Sequence, residues 1–221
     1  MNDLLQAARD RHSVRQYTDR PLDEQTVGSL RSIINGINAE SGLNIRLVLN
    51  EPSAFGGFAL KGFMKFRNAV NYFVIAGPDS LDLDRKAGYW GERLVLEAQC
   101  LGLGTCWAMM AKKKKAESED RTVILISVGY PENPGVPHKS KPIEKFGEIE
   151  SAPDWFVQGI ECAMLAPTGV NRQGFSFDRE GSSVRIDYGR STLSSIDAGI
   201  AMFHFELGAG KENFEWANPL E

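Results

Sequence analysis

The chain has 221 residues, of which 42% are hydrophobic and 24% are charged, and its formal net charge is −4. This length and composition predict one merged globular unit with a sizeable core. The negative balance argues against nucleic acid as a partner. No apolar run reaches the roughly 20 residues that cross a bilayer, and residues 1–11 are too polar for a signal peptide. We therefore expect a cytoplasmic protein that binds no membrane.

Helices and strands are expected in an irregular order along the chain. Apolar spacing predicts helices at residues 4–8, 24–38, 89–103, 154–166 and 194–207, the second of them capped by Asp23. Alternating or continuous apolar runs predict strands at residues 44–50, 72–76, 122–128, 174–178 and 184–188. Because these elements lack repeated βαβ spacing, we expect a three-layer α+β fold with a mixed, mainly antiparallel sheet flanked by helices.

A proline-rich stretch is expected to divide the chain. Residues 131–151 hold four prolines and several lysines, which predicts a surface arm or linker rather than a packed element. The helix, strand, strand, helix order of the first half recurs beyond it, a weak hint of internal duplication. We therefore assign residues 1–150 to a first half and residues 151–221 to a second, pseudo-equivalent half.

Metal and disulfide chemistry have little support in the sequence. Cys100, Cys106 and Cys162 form no C-x-x-C pair, and the three histidines show no ligand spacing. We expect core thiols and no metal site.

The segment Arg11-His-Ser-Val-Arg15 concentrates two guanidinium groups and a hydroxyl. In an extended conformation, Arg11, Ser13 and Arg15 would point the same way and form one face able to grip an oxyanion. The alternative is an ordinary solvated basic turn.

Glycines and an aromatic residue lie together at Leu101-Gly-Leu-Gly-Thr-Cys-Trp107. This is no dinucleotide fingerprint, because the third glycine is absent and the segment follows a helix. Either it caps a helix and leads into an apolar bend, or its glycines let the backbone approach a flat ligand that Trp107 covers.

Two polar segments lie later in the chain. Asn171 and Gln173 follow a predicted helix, and their amides suit either a heteroaromatic edge or neighbouring backbone groups. Lys139 and Lys141 supply two cations, although exposed lysines usually do nothing specific.

Taken in order, these segments resemble the FMN-dependent nitroreductase family, and in particular its single-chain, pseudo-dimeric "TM nitroreductase" branch. Arg11 to Arg15 resembles the family's opening motif, Leu101 to Trp107 its Gly-Leu-Gly-Thr segment, and Lys139-Ser-Lys141 its basic tail. Pro167-Thr-Gly-Val-Asn-Arg-Gln173 resembles a ring-contacting motif that ordinary members carry early in the chain and offer to the neighbouring subunit.

The resemblance implies a set of flavin contacts. Arg11, Ser13, Lys139 and Lys141 would bind the FMN phosphate, with His12 in the same opening motif. Arg15 and Lys65 would lie near the pyrimidine edge, and Trp107, Ala108 and Met109 beside the ring, with backbone amides near N5. The ring contacts from the second half would be Pro167, Thr168, Gly169, Asn171 and Gln173. Because this last motif comes late, the flavin site is expected within one chain.

The resemblance also implies an activity. Electrons would pass from NADH or NADPH through FMN to a small organic acceptor such as a quinone or a nitroaromatic, by ping-pong chemistry. No catalytic side chain is expected, since the flavin N5 carries the chemistry. Where the family has Pro-Trp after the last glutamine, this chain has Gly174-Phe175. Two alternatives stay open: a non-catalytic flavin-binding or sensing protein, and a structural module that binds no flavin.

Overall fold

A computed structural model describes residues 2–55, 65–109 and 120–220. Its helices are α1 (Asn2–Asp10), α2 (Glu24–Ser41), α3 (Leu83–Cys100), α4 (Asp154–Ala163) and α5 (Thr192–Ala209). Its strands are β1 (Arg46–Val48), β2 (Tyr72–Gly77), β3 (Gly104–Ala108), β4 (Arg121–Gly129), β5 (Phe175–Glu180), β6 (Ser183–Tyr188) and β7 (Glu215–Trp216). Within this described part, no helix combines the length and the apolar character needed to cross a membrane.

The strands form two sheets. One has the order β1-β2-β4-β3 with antiparallel neighbours throughout. The other has the order β5-β6-β7, in which β5 and β6 are antiparallel and β6 and β7 are parallel. The predicted α+β class with mainly antiparallel pairing is therefore confirmed.

The chain folds into two compact units, each built from separate stretches. The sheet unit comprises Arg11–Leu83 and Leu94–Pro137 and contains the four-stranded sheet. The helical unit comprises Met1–Asp10, Asp84–Arg93 and His138–Glu221 and contains the three-stranded sheet. The prediction that residues 1–150 and 151–221 are pseudo-equivalent halves is a different division and stays a prediction.

The sheet unit has its core around β2 and β4. All six residues of β2 are buried, as are the last seven of β4, as expected for strands in the middle of a sheet. Helix α2 begins where predicted, since the Asp23 carboxylate accepts a hydrogen bond from the Thr26 amide at 2.8 Å. The helix ends at Gly42, whose φ of 70° suits glycine.

In the helical unit, glycines allow helices to approach closely. A Cβ at Gly199 on α5 would lie 2.0 Å from the Arg85 carbonyl oxygen, and one at Gly88 on α3 would lie 2.1 Å from the Ile196 carbonyl oxygen. Rings from α4, α5 and the small sheet fill the remaining core, namely Phe156, Phe177, Phe205, Phe214 and Trp216. These contacts fix α5, which carries several of the buried polar groups of the unit.

The proline-rich stretch is only partly the surface arm that was predicted. Apart from a short 3-10 turn at Ile143–Lys145 it has little regular structure. However, Phe146 is fully buried, and its carbonyl oxygen accepts a hydrogen bond from the Phe177 amide at 2.6 Å. Residues near Phe146 are therefore packed on β5. Burial of the large apolar Phe146 side chain stabilises this contact, and the polar average composition of the stretch did not reveal it.

Candidate functional site

The opening basic segment runs extended beside β3 in the sheet unit. Ser13 forms a parallel bridge with Thr105, and the Val14 amide donates to the Thr105 carbonyl at 2.9 Å. Val14 is buried against Gly104, where a Cβ would come within 2.9 Å of its side chain. Tyr17 holds the segment from the other end, since its hydroxyl lies 2.7 Å from the Val14 carbonyl oxygen. Glycine at position 104 is therefore what lets the segment lie against the strand.

Arg11, Ser13 and Arg15 converge on one buried sulfur. Burial raises the pKa of the Cys106 thiol on β3, whereas the positive charges of Arg15 and Arg11 act in the opposite direction. Hydrogen bonds with the Ser13 and Arg15 side chains lower it as well. The Ser13 and Arg15 side chains therefore lie beside Cys106, and the Arg11 charge is near enough to act on it; that the three share one face stays a prediction. Two guanidinium groups and a hydroxyl on one face can bind an oxyanion with several charge-assisted hydrogen bonds.

His12 contributes a buried polar atom to the same region. Its Nδ1 atom is buried and has no hydrogen-bond partner among the described residues. A Cβ at Gly135 would lie 2.8 Å from the His12 Cβ, so the glycine there, with a φ of 78°, leaves room for the imidazole. A buried ring nitrogen without a partner is costly unless a ligand or water satisfies it.

The other predicted residues of the sheet unit lie on β3, directly after it, or in the segment that runs beside Arg15. Trp107 is half-buried and pairs with Ile126 on β4, while the Ala108 side chain is fully buried, so Ala108 offers only backbone. Met109 is half-buried at the end of the strand. Lys65 is exposed, two residues before Arg67, whose amide donates to the Arg15 carbonyl at 3.0 Å. That hydrogen bond brings the Lys65 segment alongside Arg15.

In the helical unit, the amides of Asn171 and Gln173 bind the backbone of the lysine segment. The Gln173 side chain is buried, accepts from the Lys141 amide at 2.9 Å and donates to the Lys139 carbonyl at 2.8 Å. Asn171 Nδ2 donates to the same carbonyl at 3.0 Å. The structure thus shows these two amides satisfying neighbouring backbone, which was one of the two interpretations of the sequence.

Lys141 completes this arrangement from the other side. Its ammonium group donates to the Arg172 carbonyl at 2.6 Å and to the Gln173 carbonyl at 3.1 Å. An ammonium has three donors, so two of them are used by the loop. The Lys139 side chain is exposed. The lysine segment and the 167–173 loop therefore form one hydrogen-bonded cluster.

The 167–173 loop is strained. Val170, Asn171 and Gln173 have φ values of 49°, 55° and 45°. Left-handed backbone is uncommon for residues other than glycine and is most unusual for a β-branched residue such as Val170, which is also 84% exposed. Strain of this kind persists only where surrounding contacts hold it, and it is concentrated at functional sites. Thr168 supplies one such contact, since its Oγ1 accepts from the Gln173 amide at 3.0 Å.

Asp197 on α5 supplies another contact, which the sequence did not predict. Both carboxylate oxygens accept from the Gly169 amide, at 3.0 and 3.1 Å. Burial raises the pKa of Asp197 to about 6, against the opposing effects of the Gly169 hydrogen bond and the Arg172 charge. An acidic residue in the otherwise apolar run from Ile196 to Ile200 was the available sequence signal.

A second buried ionic pair joins α3 to α5 within the helical unit. His204 Nε2 lies 2.9 Å from Glu92 Oε1, and both side chains are fully buried. Burial alone would lower the pKa of His204, but hydrogen bonds with the Cys162 and Glu92 side chains, together with the Glu92 charge, raise it to about 9. With this pKa, His204 is a buried cation at neutral pH.

Comparison with known proteins places the chain among nitroreductases. The model of the family described as "Putative TM nitroreductase" matches residues 3–209. A nitroreductase structure from Thermotoga maritima MSB8 is 25% identical, with a TM-score of 0.67, and the match covers 93% of this chain and 82% of that one.

Two further structures show the same fold at lower identity. An NADH dehydrogenase/NAD(P)H nitroreductase structure from Parabacteroides distasonis ATCC 8503 is 18% identical, covers 66% of this chain and 97% of that one, and has a TM-score of 0.51. NfrA2 from B. megaterium is 16% identical, covers 74% and 82%, and has a TM-score of 0.52. No curated protein matches the chain significantly. Because the family model spans nearly the whole length, the chain belongs to the TM nitroreductase family.

Proposed function

We propose that this chain is an FMN-dependent oxidoreductase that passes electrons from NADH or NADPH to a small organic acceptor such as a quinone or a nitroaromatic. Family membership indicates an oxidoreductase. The observation that carries the assignment of FMN is the convergence of Arg11, Ser13 and Arg15 beside β3.

These residues fit the phosphate end of FMN. Arg11 is only 5% exposed although a guanidinium is charged, and Arg11, Ser13 and Arg15 all act on the Cys106 sulfur. A buried guanidinium is stabilised by an anion that it can bind through forked hydrogen bonds. The unsatisfied His12 Nδ1 is a further polar atom in this region for a ligand or water to satisfy. In this proposal Arg11 and Ser13 bind the phosphate.

The remaining roles follow the family resemblance. Bound FMN would supply the hydride chemistry, accepting electrons from the nicotinamide and releasing them to the acceptor. Arg15 and Lys65 would stabilise negative charge on the pyrimidine edge of the ring. Backbone of Ala108 and Met109 and the Trp107 side chain would orient the ring. No side chain of the protein needs to act as an acid or a base.

A second set of contacts is assigned to the helical unit. Lys139 and Lys141 are proposed at the phosphate, and the loop residues Pro167, Thr168, Gly169, Asn171 and Gln173 at the ring. Lys141 already binds two loop carbonyls, and both loop amides bind the Lys139 carbonyl. The Lys141 ammonium and the amides of Asn171 and Gln173 would thus also fix the shape of the segment that makes these contacts.

Turnover distinguishes this proposal from a flavoprotein that only binds or senses FMN. The test is steady-state oxidation of NADH and NADPH by the FMN-loaded protein, with 1,4-benzoquinone and a nitrobenzoate as acceptors. We expect sustained turnover that Arg11→Ala reduces unless FMN is added in excess. Arg31→Ala, which removes an exposed arginine on α2, is the matched control and should behave as wild type. FMN binding without turnover with any acceptor would favour the sensing role instead.

A further inference from the structure

Asp197 is an unusual carboxylate within the helical unit. It is 7% exposed, and both of its oxygens share a single donor, the Gly169 amide. In the described part of the chain it accepts no other hydrogen bond. An ionised carboxylate can accept about four hydrogen bonds, so Asp197 is poorly satisfied for a buried charge.

The other buried carboxylates of the unit have stronger partners. Glu92 faces the cationic His204 at 2.9 Å. Glu206 accepts from the Tyr89 hydroxyl at 2.5 Å and from the Trp216 indole at 2.8 Å, and it pairs with Lys211. Among the described residues, Asp197 has only the more distant charge of Arg172 besides its hydrogen bond with Gly169. Fold stability accounts for Glu92 and Glu206, but it gives no reason for a carboxylate at position 197.

The Asp197 hydrogen bond acts at the first residue of the strained turn. Gly169 lies against α5, where a Cβ would come within 2.5 Å of the Leu193 side chain, so its amide is held close to Asp197. The left-handed residues Val170, Asn171 and Gln173 follow directly. Without this hydrogen bond, no other hydrogen bond in the described part of the chain would tie the start of this backbone to α5, although the Leu193 packing would remain, and the strain would favour a different loop conformation.

The loop in turn shapes a groove in the same unit. Gln173 and Lys141 form one wall of an open cavity of about 590 Å³, whose other walls include Phe175 and Tyr188. Gln173 also fixes the backbone of the lysine segment. A shift at Gly169 would therefore reach both the groove and the lysine segment.

We propose that Asp197 is a positioning residue, which holds the 167–173 loop in its ligand-binding conformation through the Gly169 amide. The inference rests on the proposed function, because FMN is the ligand for which the loop is shaped. Asp197 acts through the loop and touches no reacting atom. The role depends on a hydrogen-bond acceptor rather than on charge, so Asp197→Asn should still hold the loop.

The test combines loop hydrogen exchange with FMN titration of the full chain. In Asp197→Ala, the amides of residues 169–173 should exchange at least about tenfold faster, and FMN affinity should fall by about tenfold or more. Asp197→Asn should restore both to within about threefold of wild type. The control is Glu92→Gln, which removes a buried carboxylate far from the loop in sequence. This variant is less stable, but while it is folded, its loop amides should exchange as in wild type and its FMN affinity should equal that of wild type.

Three results would overturn the proposal. Unchanged loop exchange in Asp197→Ala would show that the carboxylate does not hold the loop, whether or not the protein binds FMN. Faster exchange with unchanged FMN affinity would show that the loop conformation is irrelevant to the ligand. Loss of FMN by Asp197→Asn with the loop still protected would assign the effect to the charge. Absence of FMN binding by wild type would instead refute the proposed function, and loop exchange would still decide whether Asp197 holds the loop.

Discussion

Replacing Asp197 with asparagine should stabilise the protein at neutral pH. The folded-state pKa of Asp197 is about 6, raised by burial from 3.8. A raised carboxyl pKa contributes stability that is fully present below the unfolded value and is lost as pH rises through the folded value. A difference of roughly two units corresponds to about 3 kcal/mol, of which about 2 kcal/mol falls between pH 4 and pH 7.

The asparagine variant lacks this pH-dependent loss. The difference in melting temperature, Asp197→Asn minus wild type, should therefore increase between pH 4 and pH 7 by roughly 4–8 °C for a chain of this size. Thermal unfolding followed by circular dichroism at several pH values measures it, and the titration of His204 cancels because both proteins share it. A difference in melting temperature that does not vary with pH would refute the claim that Asp197 is buried with a raised pKa.

Further predictions concern the flavin, the buried pair and the helix packing. Arg11→Ala should weaken FMN binding by about tenfold or more in a fluorescence titration, since a charge-assisted hydrogen bond contributes roughly 1.5–3 kcal/mol, and unchanged affinity would remove Arg11 from the site. Glu92→Gln removes the charge that keeps His204 protonated, so burial returns the imidazole to its neutral form, and the free energy of unfolding at pH 7 should fall by about 2–3 kcal/mol in urea; a loss under about 1 kcal/mol would contradict the pair. Because the folded-state pKa of His204 is about 9, the stability from this pair is full below about pH 6.5 and is lost as pH rises through 9. Gly199→Ala would put its Cβ 2.0 Å from a backbone carbonyl on α3, so a variant that melts like wild type would show that the helices do not approach so closely. Mixing Arg11→Ala chains with Asn171→Ala chains should restore no FMN binding, and full recovery would indicate a site shared between subunits.

Secondary structure was predictable where it depends on local patterns. The apolar runs at β2 and β4 and the Asp23 cap were sufficient to place their elements. Strand β3 was missed because it is five residues long, begins with glycine, and is stabilised by pairing with β4 rather than by its own propensity. Helix α3 begins at Leu83, six residues before its predicted start. Gly88 has a low helix propensity, so the sequence pattern gave no sign of the early turns, which packing against α5 stabilises.

The candidate site was predictable in part for the same physical reason. The two-residue spacing of Arg11, Ser13 and Arg15 predicted their grouping, and in the structure all three act on the Cys106 sulfur. The partners of Asn171 and Gln173 could not be read in this way, because an amide binds backbone and ligand edges equally well. Asp197 was missed because its partner is a backbone amide 28 residues away. Every residue type other than proline has a backbone amide, so the sequence does not indicate which one a side chain binds.

Whether this chain binds FMN is measured by the visible absorbance of the purified protein. We expect a yellow protein, or a colourless one that becomes yellow on incubation with FMN and retains about one FMN per chain after desalting. A protein that stays colourless after incubation with excess FMN, while circular dichroism shows it folded, would contradict the claim.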